Sequence, residues 1–153
     1  MYDLEIIKSF YEVLPERMKK IRKRAGRPLT LTEKILFNHL YDDGTAGDLN
    51  RSGQYADFRP DRLAMQDATA QMALLQFILA GSKRSAIPAS VHCDHLIVAE
   101  KGGEEDLKKA VETGKEVYEF LESVCRKYGI SFWKPGSGII HQIVLENYAF
   151  PGG

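Results

Sequence analysis

The sequence predicts an α/β fold, a parallel sheet flanked by helices and preceded by a helical N-terminal segment. Three observations predict it. From Arg62 onward, short apolar runs alternate with helical periodicity three times, which is the grammar of strand–helix–strand units and a parallel sheet. Each of the three runs ends in polar, titratable residues, where parallel sheets present ligand groups beyond the carboxyl ends of their strands. The first forty residues carry helix caps and 3.6-residue stripes with no strand alternation. Residues 1–60 are therefore expected to form a helical segment and loop, and residues 61–153 an α/β domain.

The elements follow in order. Asp3 can cap a first helix whose stripe is Ile7, Phe10, Leu14, Met18 and Ile21. Pro15 interrupts it, so a kink or two short helices are expected before Gly26 and Pro28 stop it. Thr30 and Glu33 have capping-box spacing, and a second helix should run to about Leu40. Residues 42–60, rich in Gly, Asp, Asn and Ser, read as a long surface loop. Residues 63–66 are the first strand, and Asp67 caps a helix over 68–80. That helix is apolar nearly all round, so it should be deeply buried. Residues 86–91 are the second strand. Glu104, Glu105 and Asp106 open one long helix, suiting its positive N-terminal end, and Gly129 stops it. Residues 130–133 are the third strand. Pro135-Gly136-Ser137-Gly138 turns into a last helix carrying Ile139, Ile140 and Ile143.

Composition narrows the function. The 153 residues are 44% hydrophobic and 27% charged, a globular balance that argues against disorder. Lys plus Arg equals Asp plus Glu, so no global field favours nucleic acid or an anionic membrane. The local basic run from Lys19 to Arg27 keeps helical spacing and reads as a solvated face. No apolar stretch approaches the roughly 20 residues of a membrane span. Cys93 and Cys125 form no C-x-x-C, so the chain cannot by itself supply the thiolates of a zinc ribbon or an iron–sulfur cluster.

The candidate chemistry sits at the strand ends. Gln66-Asp67 follows the first strand; His92, Asp94 and His95 follow the second; Gly136-Ser137-Gly138 and His141 follow the third. Asp94 beside His95 can orient and charge-stabilise an imidazole, the arrangement of a general acid or base near neutral pH. The same cluster also reads as a hydrogen-bonded loop. Gln66 can hydrogen-bond a substrate oxygen as donor or acceptor. The glycine turn before a helix offers N–H groups and a positive dipole to a carboxylate or phosphate, although a tight turn explains two glycines equally well. His141 begins that helix and reads either as a site residue or as a buried, hydrogen-bonded imidazole. His39, between Phe37 and Leu40, reads as structural. His92 and Cys93 would point to opposite faces of a strand, which argues against a metal site made by His92, Cys93 and His95.

Three stretches carry a resemblance. They are Met65-Gln66-Asp67-Ala68-Thr69-Ala70-Gln71-Met72-Ala73, His92-Cys93-Asp94-His95-Leu96-Ile97, and Phe132-Trp133-Lys134-Pro135-Gly136-Ser137-Gly138-Ile139-Ile140-His141-Gln142-Ile143. Together with Arg27-Pro28-Leu29-Thr30-Leu31-Thr32-Glu33-Lys34-Ile35 and Glu146-Asn147-Tyr148, they closely resemble the N-terminal region of the aconitases (aconitate hydratases), in the mitochondrial-type form. The resemblance implies interconversion of citrate and isocitrate through cis-aconitate on a [4Fe–4S] cluster. It implies that Gln66 contacts substrate, that Asp94 and His95 form an acid pair with His95 helping to protonate the departing hydroxyl, and that His141 lies near that oxygen. It makes residues 61–153 an incomplete first domain of such an enzyme.

The family's Asp-Ser-His motif, its three cluster cysteines, its serine base and its later arginines have no counterpart in this sequence. The expectation is an N-terminal fragment, inactive alone, with the cluster ligands and metal sites outside this chain and the remaining aconitase domains as partners. An incomplete domain is also expected to self-associate through an uncovered apolar face or sheet edge. A carboxylate-binding or interaction module without catalysis is the alternative reading. RNA binding, known for some cytosolic relatives, is disfavoured by the balanced charge. The lack of a recognisable presequence predicts a bacterial cytoplasm first and a mitochondrial matrix second.

Overall fold

A computed structural model describes residues 3–41 and 55–153. The surface loop expected over 42–60 therefore falls, for residues 42–54, outside the described residues. Contacts divide the chain into two units, Met1–Pro60 with Tyr148–Gly153, and Asp61–Asn147.

In the first unit, α1 (Leu4–Ala25) is a single helix with Pro15 inside it. Two short helices do not form. Pro15 removes one N–H from the ladder, and Leu14 before it and Met18 and Ile21 after it pack into the same cluster with Leu29 and Leu40. The Asp3 carboxylate accepts from the Ile6 amide at 3.2 Å, and Gly26 closes the helix with a left-handed φ of 61°. α2 (Leu31–Asn38) opens on the expected capping box. The Glu33 amide donates to Thr30 Oγ1 at 3.2 Å, the Thr30 amide donates to Glu33 Oε2 at 2.8 Å, and Arg27 clamps the same Glu33 carboxylate at 2.9 Å and 3.1 Å. Lys19, Lys20, Arg22, Lys23 and Arg24 are all exposed, as a solvated face requires. The chain's last residues pack here too, with Tyr11 Oη donating to the Pro151 carbonyl at 2.8 Å and Phe10 lying edge-on to Phe150.

The second unit is a three-stranded parallel sheet in the order β1 (Leu63–Gln66), β2 (Ala89–His92), β3 (Ser131–Trp133). Its connections are α3 (Asp67–Leu79), then α4 (Gly103–Thr113) and α5 (Lys115–Tyr128), and α6 (Ile140–Asn147) follows β3. Met65, Val91 and Cys93 meet Ala70 and Leu74 of α3 and Tyr118, Leu121, Val124 and Cys125 of α5 in one core.

Two expectations are corrected. α3 is not buried all round: Ala70 and Leu74 are, while Met72, Leu75 and Leu79 are 61%, 44% and 84% exposed. An unbroken apolar run does not say which face a neighbour covers, and in this unit only the face toward α5 and the sheet is covered. The single long helix over 104–128 is two helices, broken at Gly114. A Cβ there would lie 2.8 Å from the Tyr118 ring and 3.0 Å from the Ala110 carbonyl, so the buried tyrosine occupies the space a side chain would need. Asp106 turns back to accept from the amides of Glu100, Lys101 and Gly102, each at 2.9 Å, and these bonds, led by Gly102, lower its pKa.

Candidate active site

Register decides which side chains gather at the carboxyl edge of the sheet. Gln66 pairs with His92 and His92 with Trp133, so these three share one face, while Met65, Val91 and Phe132 form the row behind them on the other. His92 is fully buried, its Nε2 is 2.9 Å from Ser90 Oγ, and its ring stacks on Trp133 at 5.9 Å and 7°. Nδ1 of His92 has no hydrogen-bond partner among the described residues. Desolvation lowers the His92 pKa, helped by Arg62 and opposed by Asp94, so the ring is held neutral. Cys93 points to the opposite face, into the α3–α5 core. Burial, with smaller contributions from Asp67 and other neighbours, pushes its thiol up to about 12.

Beyond this row the chain turns polar. His95 Nδ1 lies 2.7 Å from Asp94 Oδ1. Asp94 is only 11% exposed at its side chain, and its other oxygen, Oδ2, accepts from the Ile140 amide at 2.8 Å. A carboxylate at Nδ1 favours the tautomer that leaves Nε2 as the working nitrogen. The His95 side chain is 42% exposed, so Nε2 can reach a ligand. His141 is the next residue after Ile140 and is exposed, so it is not the buried imidazole of the alternative reading. Gln66 is half-buried at the end of β1, directly before Asp67.

In sequence the glycine turn offers the N-terminal end of α6 to a carboxylate. The structure fills it with one of its own: Asp94 takes the Ile140 amide. Gly136, with a φ of 85°, lies where a Cβ would meet Leu107 at 2.8 Å, so close packing and turn geometry account for it. The anion pocket needed by a binding module without catalysis is thus already occupied in part. His39 Nδ1 lies 2.8 Å from the Ile35 carbonyl, in keeping with a structural histidine.

Asp67 is the residue that sequence reasoning undervalued. Its place in the sequence predicts a helix cap, but Gln66 is the cap residue, and the buried Asp67 carboxylate accepts from the His95 and Leu96 amides at 3.3 Å each. Asp67, Asp94 and His95 offer ligand atoms within 4.8 Å of one another. Both oxygens of Asp67 are already engaged by backbone amides, so hydrogen bonding accounts for the cluster.

Residues 33–153 match the family model described as the aconitase family (aconitate hydratase). This chain belongs to the aconitase family. It is 58% identical over 143 residues to the mitochondrial aconitate hydratase of Schizosaccharomyces pombe, covering 94% of this chain and 18% of that protein. It is 59% identical over 142 residues to the mitochondrial enzyme of Saccharomyces cerevisiae, covering 93% and 18%. A probable mitochondrial aconitate hydratase of Caenorhabditis elegans matches at 58% over 142 residues, again 93% and 18%. The chain thus spans about a fifth of the length of these relatives and corresponds to the N-terminal part of an aconitase.

The expected bacterial cytoplasm is overturned, because these relatives are mitochondrial proteins. The family implies an iron–sulfur cluster in the full-length enzyme. The residues present here do not fit as its ligands: Cys93 and Cys125 are buried in the apolar core, with thiols pushed up by burial to about 12 and about 11, and a cluster ligand must be a thiolate. No described helix is long and apolar enough to cross a membrane.

Proposed function

We propose that this chain serves as the N-terminal part of a mitochondrial-matrix aconitate hydratase, which interconverts citrate and isocitrate through cis-aconitate. Residues 1–60 act as its helical segment, and residues 61–153 contribute to its first α/β domain. One observation carries the reading. The Asp94–His95 pair is closed at 2.7 Å and anchored at its far oxygen to the first amide of α6, so the imidazole is oriented before any substrate arrives.

In this reading His95 Nε2 holds the proton that the departing hydroxyl takes. Asp94 keeps the ring in place. Gln66 hydrogen-bonds a substrate oxygen, and His141 lies beside the leaving one. The [4Fe–4S] cluster and its cysteines belong to the remaining domains, so the 153 residues alone are expected to be inactive. The exposed stripe of Met72, Leu75 and Leu79 suits a surface covered by those domains, and in the isolated chain it would drive self-association.

The test is made in the full-length enzyme, with rates normalised to iron and sulfide content. His95→Gln and Asp94→Asn are each expected to lower kcat by about 10²–10⁴-fold, the usual contribution of general acid catalysis. Rates within about twofold of the parent for both, with cluster content unchanged, would mean that this pair is not the acid.

A further inference from the structure

Asp67 is the most buried carboxylate in the α/β unit, with 0% exposure. Burying a charge costs free energy unless donors compensate for lost water. No cationic side chain among the described residues pairs with it. Its compensation comes from backbone amides: Oδ1 accepts from Ala68 at 2.9 Å and from His95 at 3.3 Å, and Oδ2 accepts from Leu96 at 3.3 Å. The positive end of α3 adds to this.

Of these bonds only the one from Ala68 is local. The other two span 28 and 29 residues of sequence and tie the β1–α3 junction to the segment after β2. That segment has few other anchors. The Cys93 amide donates to the Trp133 carbonyl at 3.0 Å, continuing the sheet by one step. Asp94 reaches the α6 amide, while the His95 side chain is 42% exposed and Leu96 is 37% exposed.

We propose that Asp67 is a positioning residue that fixes the His95 backbone and, through it, the working orientation of the Asp94–His95 pair. His95 is then held from two sides, by Asp67 at its amide and by Asp94 at its imidazole. Because both carboxylates are anchored in regular structure, the three strand ends become one rigid edge. The kinetic consequence rests on the acid-pair reading above; the backbone consequence does not.

The experiment separates the two. Asp67→Ala and Asp67→Asn are made in the full-length enzyme, and amide hydrogen exchange is read residue by residue alongside kcat per cluster and its pH profile. In Asp67→Ala, exchange at His95 and Leu96 is expected to rise about tenfold or more while amides of α5 stay protected. In Asp67→Asn one carbonyl oxygen can still accept from Ala68 and His95, while the new NH₂ faces the Leu96 amide, so Leu96 should open more than His95. kcat per cluster should fall by about 10²-fold in the alanine variant, the scale expected for a displaced catalytic group. The limb of the pH profile that His95→Gln removes should shift, and Asp67→Asn should recover part of the loss.

Unchanged exchange at His95 and Leu96, or acceleration spread evenly over the whole unit, would overturn the positioning role. Local opening at His95 and Leu96 with no change in kcat or pH profile would uphold the backbone tie and count instead against the acid-pair reading. If Asp67→Ala does not fold, the His95–Leu96 contrast in Asp67→Asn decides the same question.

Discussion

The two faces of the sheet reach the same degree of burial by different means. On one, Val91 stands at 0% exposure between Met65 and Phe132, packed by α3 and α5. On the other, His92 stands at 0% exposure between Gln66 and Trp133, its Nδ1 without a hydrogen-bond partner among the described residues. Burial alone therefore does not distinguish the two faces. Polar content does: the first row carries no polar side chain, while the second carries His92 and leads into a network in which two aspartates gather backbone amides from three strand ends.

The contrast can be broken at three points of decreasing size. Leu121 is fully buried on the apolar side, and Leu121→Ala should cost about 2–5 kcal/mol in urea unfolding, because the surrounding helices close such a cavity only in part. A loss under about 1 kcal/mol would mean that this core is looser than described.

His92 comes next. Desolvation depresses its folded-state pKa, so the unfolded chain binds the proton more tightly. Its contribution is intact above the unfolded value near 6.5 and is lost as pH falls below it toward the folded value. Unfolding midpoints measured between about pH 7.5 and 5 should fall in the parent and fall less steeply in His92→Asn. Equal slopes would remove His92 as a buried neutral group.

The smallest effect belongs to the uncovered side of α3. Leu79→Ser should change stability by no more than about 0.5 kcal/mol, yet shift the isolated chain toward monomer in sedimentation. A clean parent monomer at high concentration would argue against a sticky surface there.

How much of this was legible in the sequence differs between the two faces. The strands and their parallel order followed from alternation of short apolar runs with helical stripes, and the Thr30–Glu33 box announced its own geometry. The break at Gly114 did not show, because a glycine within a helical pattern is compatible with continuation until the Tyr118 ring is seen where a Cβ would stand. The exposed face of α3 did not show either, since an all-apolar helix has no polar side to announce which face lacks a neighbour. At the site, Asp94 and His95 are adjacent in sequence and their pairing could be expected. The Asp67 tie spans 28 residues, and nothing local distinguishes a carboxylate that caps its own helix from one that reaches another strand end.

The most direct measurement is a crystal structure of the full-length enzyme with isocitrate bound. The account predicts His95 Nε2 and the Gln66 amide within about 3.2 Å of substrate oxygens, with Asp94 still holding both His95 Nδ1 and the Ile140 amide. A substrate bound elsewhere, with this edge intact and facing away from it, would contradict the central claim that the three strand ends are assembled for proton transfer.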